Sequence, residues 1–177
     1  QVERCNEILK RLTLNPVEED EFIDKDINIR DYLHEIISSF KEISKKEFVF
    51  NFDQDSNPKK ISKSIEIVYG LRNFIGNANK FAKNSIFINL KSDSEFTEIT
   101  VEDDGNGYPR DIISKIGEPY LKSNYSKDKS KEGLGLGLFI GKTLLEKNFA
   151  SVNCRNSKTR SGAEVIIRWK NKELFNI

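Results

Sequence analysis

The chain has 177 residues, 37% of them hydrophobic, and carries 29 basic against 28 acidic side chains for a formal net charge of +1. That length suits one ordinary domain with a short attachment, and the apolar share is enough for a core. The near-neutral balance leaves no global field for gripping nucleic acid or an acidic membrane, so neither is expected as a partner, and any anion site must be local.

In chain order, Val2, Cys5, Leu9 and Leu12 fall at alternating spacings of three and four, the seam of two heptads. Residues 1–15 therefore read as the end of a bundle helix, or as a short packing helix, closed by Asn15-Pro16. The acidic "VEEDEF" makes 16–25 a linker, and 26–177 is left as the main domain. Ile29, Leu33, Ile36, Ile37 and Phe40 mark a helix over 29–43, followed by the strand-like "EFVFNF". A long helix is expected over 62–82, then strands at "SIFINL" and "EFTEITVED". Residues 106–132 are polar, lysine-rich and too long for an ordinary connection. A helix over 136–149 and strands at "SVNCRN" and "AEVIIRW" finish the chain. Long helices beside adjacent antiparallel strands predict an α+β two-layer sandwich.

Three constellations carry chemistry. On the long helix, Glu66, Gly70, Asn73, Asn77, Lys80 and Asn84 form one polar stripe beside the apolar Ile65, Val68, Leu71, Ile75, Ala78 and Ala82. Such a stripe can simply face water, but asparagine is a mediocre helix former. Two carboxamides one turn apart, followed by a lysine, suit a hard cation and the phosphates it bridges. In "ITVEDDGNGYP", Asp103 continues the face of Ile99 and Val101 just where the strand breaks into Gly105 and Gly107. A buried carboxylate there would accept a hydrogen bond from an exocyclic amine such as that of adenine, while the glycines admit a flat ring; a D-G turn is the plain alternative.

The third is "KEGLGLGLFIGKT". A Walker A loop has four residues between its first glycine and Gly-Lys-Thr, and neither Gly135 nor Gly137 stands at that distance from Gly141. Gly133, Gly135 and Gly137 also miss the dinucleotide G-x-G-x-x-G spacing, with no strand directly before them. What remains is a helix N-terminus with free backbone N–H groups and a half-positive dipole, a seat for a triphosphate.

Taken in order, "NFIGNANKF", "DDGNG", "IGEPY" and "GLGLGLFI" resemble the N, G1, F and G2 boxes of the sensor histidine kinase catalytic domain, the GHKL (Bergerat) ATPase fold. The likeness runs from about residue 26 to 170 and looks most like the RegB/PrrB-type redox-responsive sensor kinases, with "ERCNEIL" similar to the end of their dimerisation helix. The resemblance implies ATP and Mg2+ as cofactors, with Asn77 as the magnesium ligand, Asn73 the polar residue one turn before it, Lys80 a phosphate contact and Phe81 a ring beside the nucleotide. It makes Asp103 the reader of the adenine amine on a floor shaped by Gly105 and Gly107. Gly133, Leu134, Gly135, Leu136, Gly137 and Leu138 become the phosphate-facing hinge of a lid over about 116–132, with Tyr120 its aromatic and Lys122, Lys127, Lys129 or Lys131 its phosphate contacts.

Departures refine the reading. Asn106 stands where many relatives have proline, which loosens a turn without removing a ligand. Asn73 stands where gyrase-like, chaperone and mitochondrial-kinase relatives carry a glutamate base, and asparagine cannot be that base. The resemblance thus implies γ-phosphoryl transfer to a histidine of the chain's own dimerisation domain, acting as a homodimer, and relay to a response regulator receiver domain. The alternative is a GHKL-fold nucleotide-binding regulatory module without transfer. His34, the single histidine, lacks the acceptor-box context and is read as a surface or structural residue, so the acceptor is expected outside this sequence. Cys5 on the heptad seam is either an inert buried thiol or, by resemblance, a redox switch, and Cys154 reads as core.

No apolar run approaches the roughly 20 residues that cross a bilayer, and no signal-peptide pattern opens the chain, so no membrane contact by this fragment is expected. The absence of methionine, with a start at "QVERCNEILK", reads as a piece of a longer protein. Two cysteines of unlike context make no disulfide framework, which reads as a reducing compartment and so the cytoplasm, and the resemblance implies the soluble domain of a membrane-anchored sensor.

Overall fold

The computed structural model describes residues 27–53, 60–61, 64–119 and 136–174. The expected bundle helix and linker lie outside the described residues. Strand β1 (Ile27–Asn28) runs directly into helix α1 (Ile29–Lys41), with the Asn28 carboxamide oxygen capping it by accepting from the Arg30 N–H at 2.9 Å. Ile29, Tyr32, Leu33, Ile36 and Ile37 form its buried stripe. The helix stops at Lys41, short of the expected end, because the N–H groups of Ile43 and Ser44 both turn back to the Phe40 carbonyl and leave Ile43 exposed. His34 is exposed and meets the Phe50 ring edge-on, a surface packing role.

Strand β2 (Glu47–Phe52) and the short β3 (Lys60–Ile61) precede helix α2 (Ile65–Phe81). The β3 segment pairs with β1 as a two-stranded antiparallel ribbon. Strands β4 (Ser85–Ser92) and β5 (Phe96–Asp103) follow, then a one-turn helix α3 (Arg110–Ile113), helix α4 (Gly137–Lys147), strands β6 (Ser151–Asn156) and β7 (Ala163–Lys170), and a closing turn α5 (Asn171–Leu174). The α+β sandwich is therefore as expected.

The five-stranded sheet has the order β2-β4-β5-β7-β6. All neighbours are antiparallel except β2 and β4, which run parallel. The parallel pair has a simple cause: α2 lies between the two strands in sequence, and a crossover helix returns the chain in the same direction. Ile86, Ile88 and Leu90 of β4, Ile99 and Val101 of β5, and Val165, Ile167 and Trp169 of β7 are buried on the face covered by the helices. Trp169 is fully buried, and its indole N–H is satisfied by the Asn148 carbonyl at 3.0 Å.

Helices α2 and α4 touch closely because glycines face each other. A β-carbon on Gly70 would stand 2.6 Å from Leu145 Cγ, and one on Gly141 would stand 3.0 Å from Phe74 Cε2 and 3.1 Å from Asn73 Cβ. Glu66 fastens the far end of the same pair by accepting from Lys147 Nζ at 2.7 Å and Asn148 Nδ2 at 2.8 Å. Glu66 and Gly70, read above as members of a polar stripe, thus belong to the helix–helix seam. Asn84 also leaves the stripe, because α2 ends at Phe81.

Candidate functional site

Register places Asp103 on the helix-facing side of β5, opposite Ile86, at the last rung of the strand. It is only 3% exposed. Two backbone donors hold one of its oxygens: the Gly105 N–H at 2.8 Å and the Ala163 N–H at 3.3 Å both point to Oδ1. Among the described residues both of these hydrogen bonds go to Oδ1, so that oxygen is fixed, while Oδ2 keeps acceptor capacity. Burial pushes this carboxyl above the usual range, Gly105, Ala163 and the Lys46 ammonium pull it back, and neighbouring Asp104 adds to the rise.

The second wall is the C-terminal half of α2. Asn73 and Asn77 lie one turn apart and are half-buried, whereas Lys80 and Phe81 are exposed, the lysine ammonium 5.3 Å from the centre of the phenyl ring. The Asn73 amide donates to the Tyr69 carbonyl at 2.8 Å, which fixes its Oδ1 outward. Asp104 ties this wall to β5, with Oδ1 accepting from the Lys83 N–H at 2.7 Å and from the Asn84 N–H at 3.0 Å. Although burial opposes it, these amides together with that of Ser85 hold the Asp104 carboxyl below its ordinary value. Lys46, from the α1–β2 turn, donates to the carbonyls of Asn79 and Ala82, the latter at 2.6 Å, and so caps the end of α2.

The third wall is the start of α4. Leu136 is its N-cap without a side-chain cap, and Ile140 is the residue whose N–H returns to the Leu136 carbonyl, at 2.8 Å. The first N–H groups, at Gly137 and Leu138, therefore face outward without intrahelical partners. A β-carbon on Gly137 would lie 3.5 Å from Asn73 Oδ1, so this helix start sits directly against the polar face of α2. Helix α2 thus adjoins two groups of the expected residues: Gly137 lies beside Asn73, and Gly105 and Asp103 lie beside the Phe81 main chain, with Asn77 and Lys80 on the same helix and Leu136 and Leu138 flanking Gly137. Tyr120, Lys122, Lys127, Lys129, Lys131, Gly133, Leu134, Gly135 and Cys5 lie outside the described residues.

Gly107 has φ +73° and Gly117 φ +102°, both in the left-handed region that glycine tolerates. Beyond Gly107, Tyr108 is buried, and its phenol shares a hydrogen bond with the Cys154 thiol. Burial is the main cause that raises Cys154 to about 11, so this half-buried thiol is a packing residue and a poor nucleophile. Sequence reasoning missed Lys46, Asp104, Asn156, Gly162 and Ala163. A β-carbon on Gly162 would strike Asp103 main-chain oxygen at 1.8 Å, so only glycine fits. Its one sequence signal is a glycine at the head of the last strand, which a single sequence cannot connect to Asp103.

A buried acceptor, a polar helix face and a helix N-terminus are the kinds of group that can hold a base, a cation and a polyphosphate. The family described as "Histidine kinase-, DNA gyrase B-, and HSP90-like ATPase" matches residues 62–173. The chain is 39% identical over 97 residues to the sensor histidine kinase RegB of Cereibacter sphaeroides, covering 52% of this chain and 21% of that one. It is 29% identical over 87 residues to the sensor histidine kinase CpxA of Escherichia coli, covering 49% and 19%. The matched region thus spans about a fifth of the length of these relatives. Among solved structures, a mycobacterial sensor histidine kinase, MprB, superposes with a TM-score of 0.69 at 18% identity, over 82% of this chain and 97% of that one. Full-length ShkA in complex with AMPPNP superposes with a TM-score of 0.67 at 21% identity, over 81% and 30%. These two establish a shared fold, and the family match covers more than half of the sequence: the chain belongs to the histidine kinase-, DNA gyrase B- and HSP90-like ATPases.

Proposed function

We propose that this chain is the ATP-binding catalytic domain of a two-component sensor histidine kinase. The observation that supports the reading is the buried Asp103 at the end of β5, whose two hydrogen bonds from the described backbone both go to Oδ1, beside the end of the helix that carries Asn77. Adenine offers an exocyclic amine to such an acceptor. Gly105 and Gly107 shape the loop beneath it by packing against Phe81 and Asn156, and the first N–H groups of α4, at Gly137 and Leu138, suit the phosphates.

The residues present fit a magnesium–nucleotide. No group of three His, Cys, Asp or Glu that could hold a metal occurs among the described residues, so a cation here would rest on the Asn77 carboxamide and phosphate oxygens, a hard-oxygen set. Bound there, Mg2+ supplies neutralisation of phosphate charge. Lys80, exposed at the helix end, would add a second positive charge, and the helix dipole of α4 a third partial one. Asn73 offers an amide that is neither acid nor base, so the cleft holds no group at that place to deprotonate water. A neutral imidazole needs no such base, since its pKa of about 6.5 leaves it nucleophilic near neutrality. Its nitrogen would form the new bond to phosphorus as the bond from the γ-phosphorus to the bridging oxygen breaks, and ADP leaves.

In this reading the acceptor histidine belongs to the dimerisation domain of a homodimer, the phosphoryl group passes to a response regulator receiver domain, and the domain works in the cytoplasm. No described helix is long and apolar enough to cross a membrane. A thiol switch at Cys5 rests on resemblance alone; a dimer on non-reducing electrophoresis, lost in Cys5→Ser, is its expected sign. The central test mixes the chain with a separately made histidine-bearing bundle, Mg2+ and γ-labelled ATP. Acid-labile label on histidine is the expected outcome. Bound ATP with no transfer would instead leave a regulatory nucleotide-binding module.

A further inference from the structure

The loop that forms the floor of the cleft, from Asp103 to Tyr108, is held from a distant part of the chain. At its start the Ala163 N–H donates to Asp103 Oδ1, and the bare Gly162 lies against the Asp103 carbonyl. At its end the Asn156 side chain grips one residue twice: its Oδ1 accepts from the Tyr108 N–H at 2.6 Å, and its Nδ2 donates to the Tyr108 carbonyl at 3.1 Å. Asn156 and Ala163 are paired residues at the head of the β6–β7 hairpin, so a single rung supports both ends of the loop.

Asn156 is an exposed residue on an edge strand, where water could satisfy its amide equally well. It spends both polar groups on the main chain of Tyr108 instead. The preceding residue, Gly107, sits at φ +73°, and a β-carbon there would come within 2.6 Å of Asn156 Oδ1. A left-handed glycine has a broad conformational range, and the carboxamide next to it removes that freedom. We propose that Asn156 is a positioning residue for nucleotide binding, fixing the Gly107–Tyr108 peptide so that the floor beneath the base is already formed before the base arrives. This rests on the reading of the cleft as an adenine-nucleotide site.

The benefit is preorganisation: a loop ordered in the free protein need not be ordered by the ligand. Titration calorimetry of the whole chain at low temperature, where every variant is folded, tests the idea with metal-free adenosine and with Mg-ATP. Asn156→Ala is expected to weaken both ligands by the same factor, about tenfold, because the loss lies in the base-binding part they share. Asn156→Asp keeps the acceptor for the Tyr108 N–H but sets a carboxylate oxygen against its carbonyl, acceptor to acceptor, so a loss of the same kind and at least as large is expected. A merely structural role would lower the melting temperature and leave the affinity of the folded protein unchanged. Wild-type affinity in either variant, or a loss confined to Mg-ATP, overturns the proposal while the cleft reading stands. Failure of the unsubstituted chain to bind either ligand overturns both.

Discussion

The carbonyl oxygen of Phe81 occupies the space where a side chain of Gly105 would begin: a β-carbon there would lie 2.5 Å from that oxygen and 2.7 Å from Asp103 Oδ1. The end of α2 and the end of β5 are thus in close contact, and the residues proposed for phosphate and for base are set near one another at this point. Gly105→Ala should therefore force the two apart. Overpacking of this kind costs about 1–3 kcal/mol, and here it would also move Asp103. A lower urea midpoint together with loss of adenosine binding is the expected result; a variant that binds adenosine as the wild type does would show that the contact is slack.

Asp103→Asn should separate stability from function. Because burial raises the folded-state value of this carboxyl, its contribution to stability is complete below the unfolded value near 4 and is lost as the pH rises through the folded one. Above the folded-state value the buried carboxylate is ionised at a cost, and asparagine removes that cost while its Oδ1 still accepts from Gly105 and Ala163. The variant should melt above the wild type at pH 7, with the gap closing toward pH 4. Its Nδ2 would meet the adenine amine donor to donor, so adenosine affinity should fall about 10–100-fold, as for the loss of a hydrogen bond to a charged group. Thermal scans across pH and calorimetry read the two effects independently.

Asn77→Ala should act on the other half of the ligand. Its carboxamide stands on the half-buried face of α2, one turn after Asn73, on a different wall from Asp103. Truncation should reduce Mg-ATP affinity about tenfold, the typical worth of one good polar contact, and leave metal-free adenosine within about twofold. Equal losses for both ligands would mean that Asn77 shapes the base pocket and does not serve a cation.

Much of this was legible in the sequence because it depends on period and order. The alternation of Ile99, Val101 and Asp103 put the carboxylate on the buried face, and register confirms it there. The spacing of Asn73 and Asn77 placed them on one helix face for the same reason. Glu66 and Gly70 share that spacing, yet they serve the seam with α4, since a helical period says which residues share a face and not what the face meets. Lys46, Asn156, Gly162 and Ala163 were invisible because they act through backbone contacts across long stretches of sequence. The parallel pairing of β2 with β4 escaped for a related reason: strand direction is set by the crossover, not by the strand's own residues.

The α2–α4 seam provides a final separation. Gly141 lies where its β-carbon would press on Phe74 Cε2 at 3.0 Å and Asn73 Cβ at 3.1 Å, while the start of the same helix, one turn earlier, meets the Asn73 carboxamide. Alanine at this position would set a gain in helix propensity against a tight contact. Valine adds two methyl groups that have no room, and Gly141→Val should destabilise the fold by about 1–3 kcal/mol in urea titration. Moving α4 away also withdraws the N–H groups of Gly137 and Leu138 from the cleft, whereas Asp103 and its loop are held by β6 and β7 and should stay in place. Mg-ATP affinity should then fall about tenfold while adenosine keeps its affinity within about twofold, a loss on the scale of one or two phosphate hydrogen bonds. If adenosine were lost as well, the base floor would have to depend on α4, against the hydrogen bonds that tie it to the last hairpin.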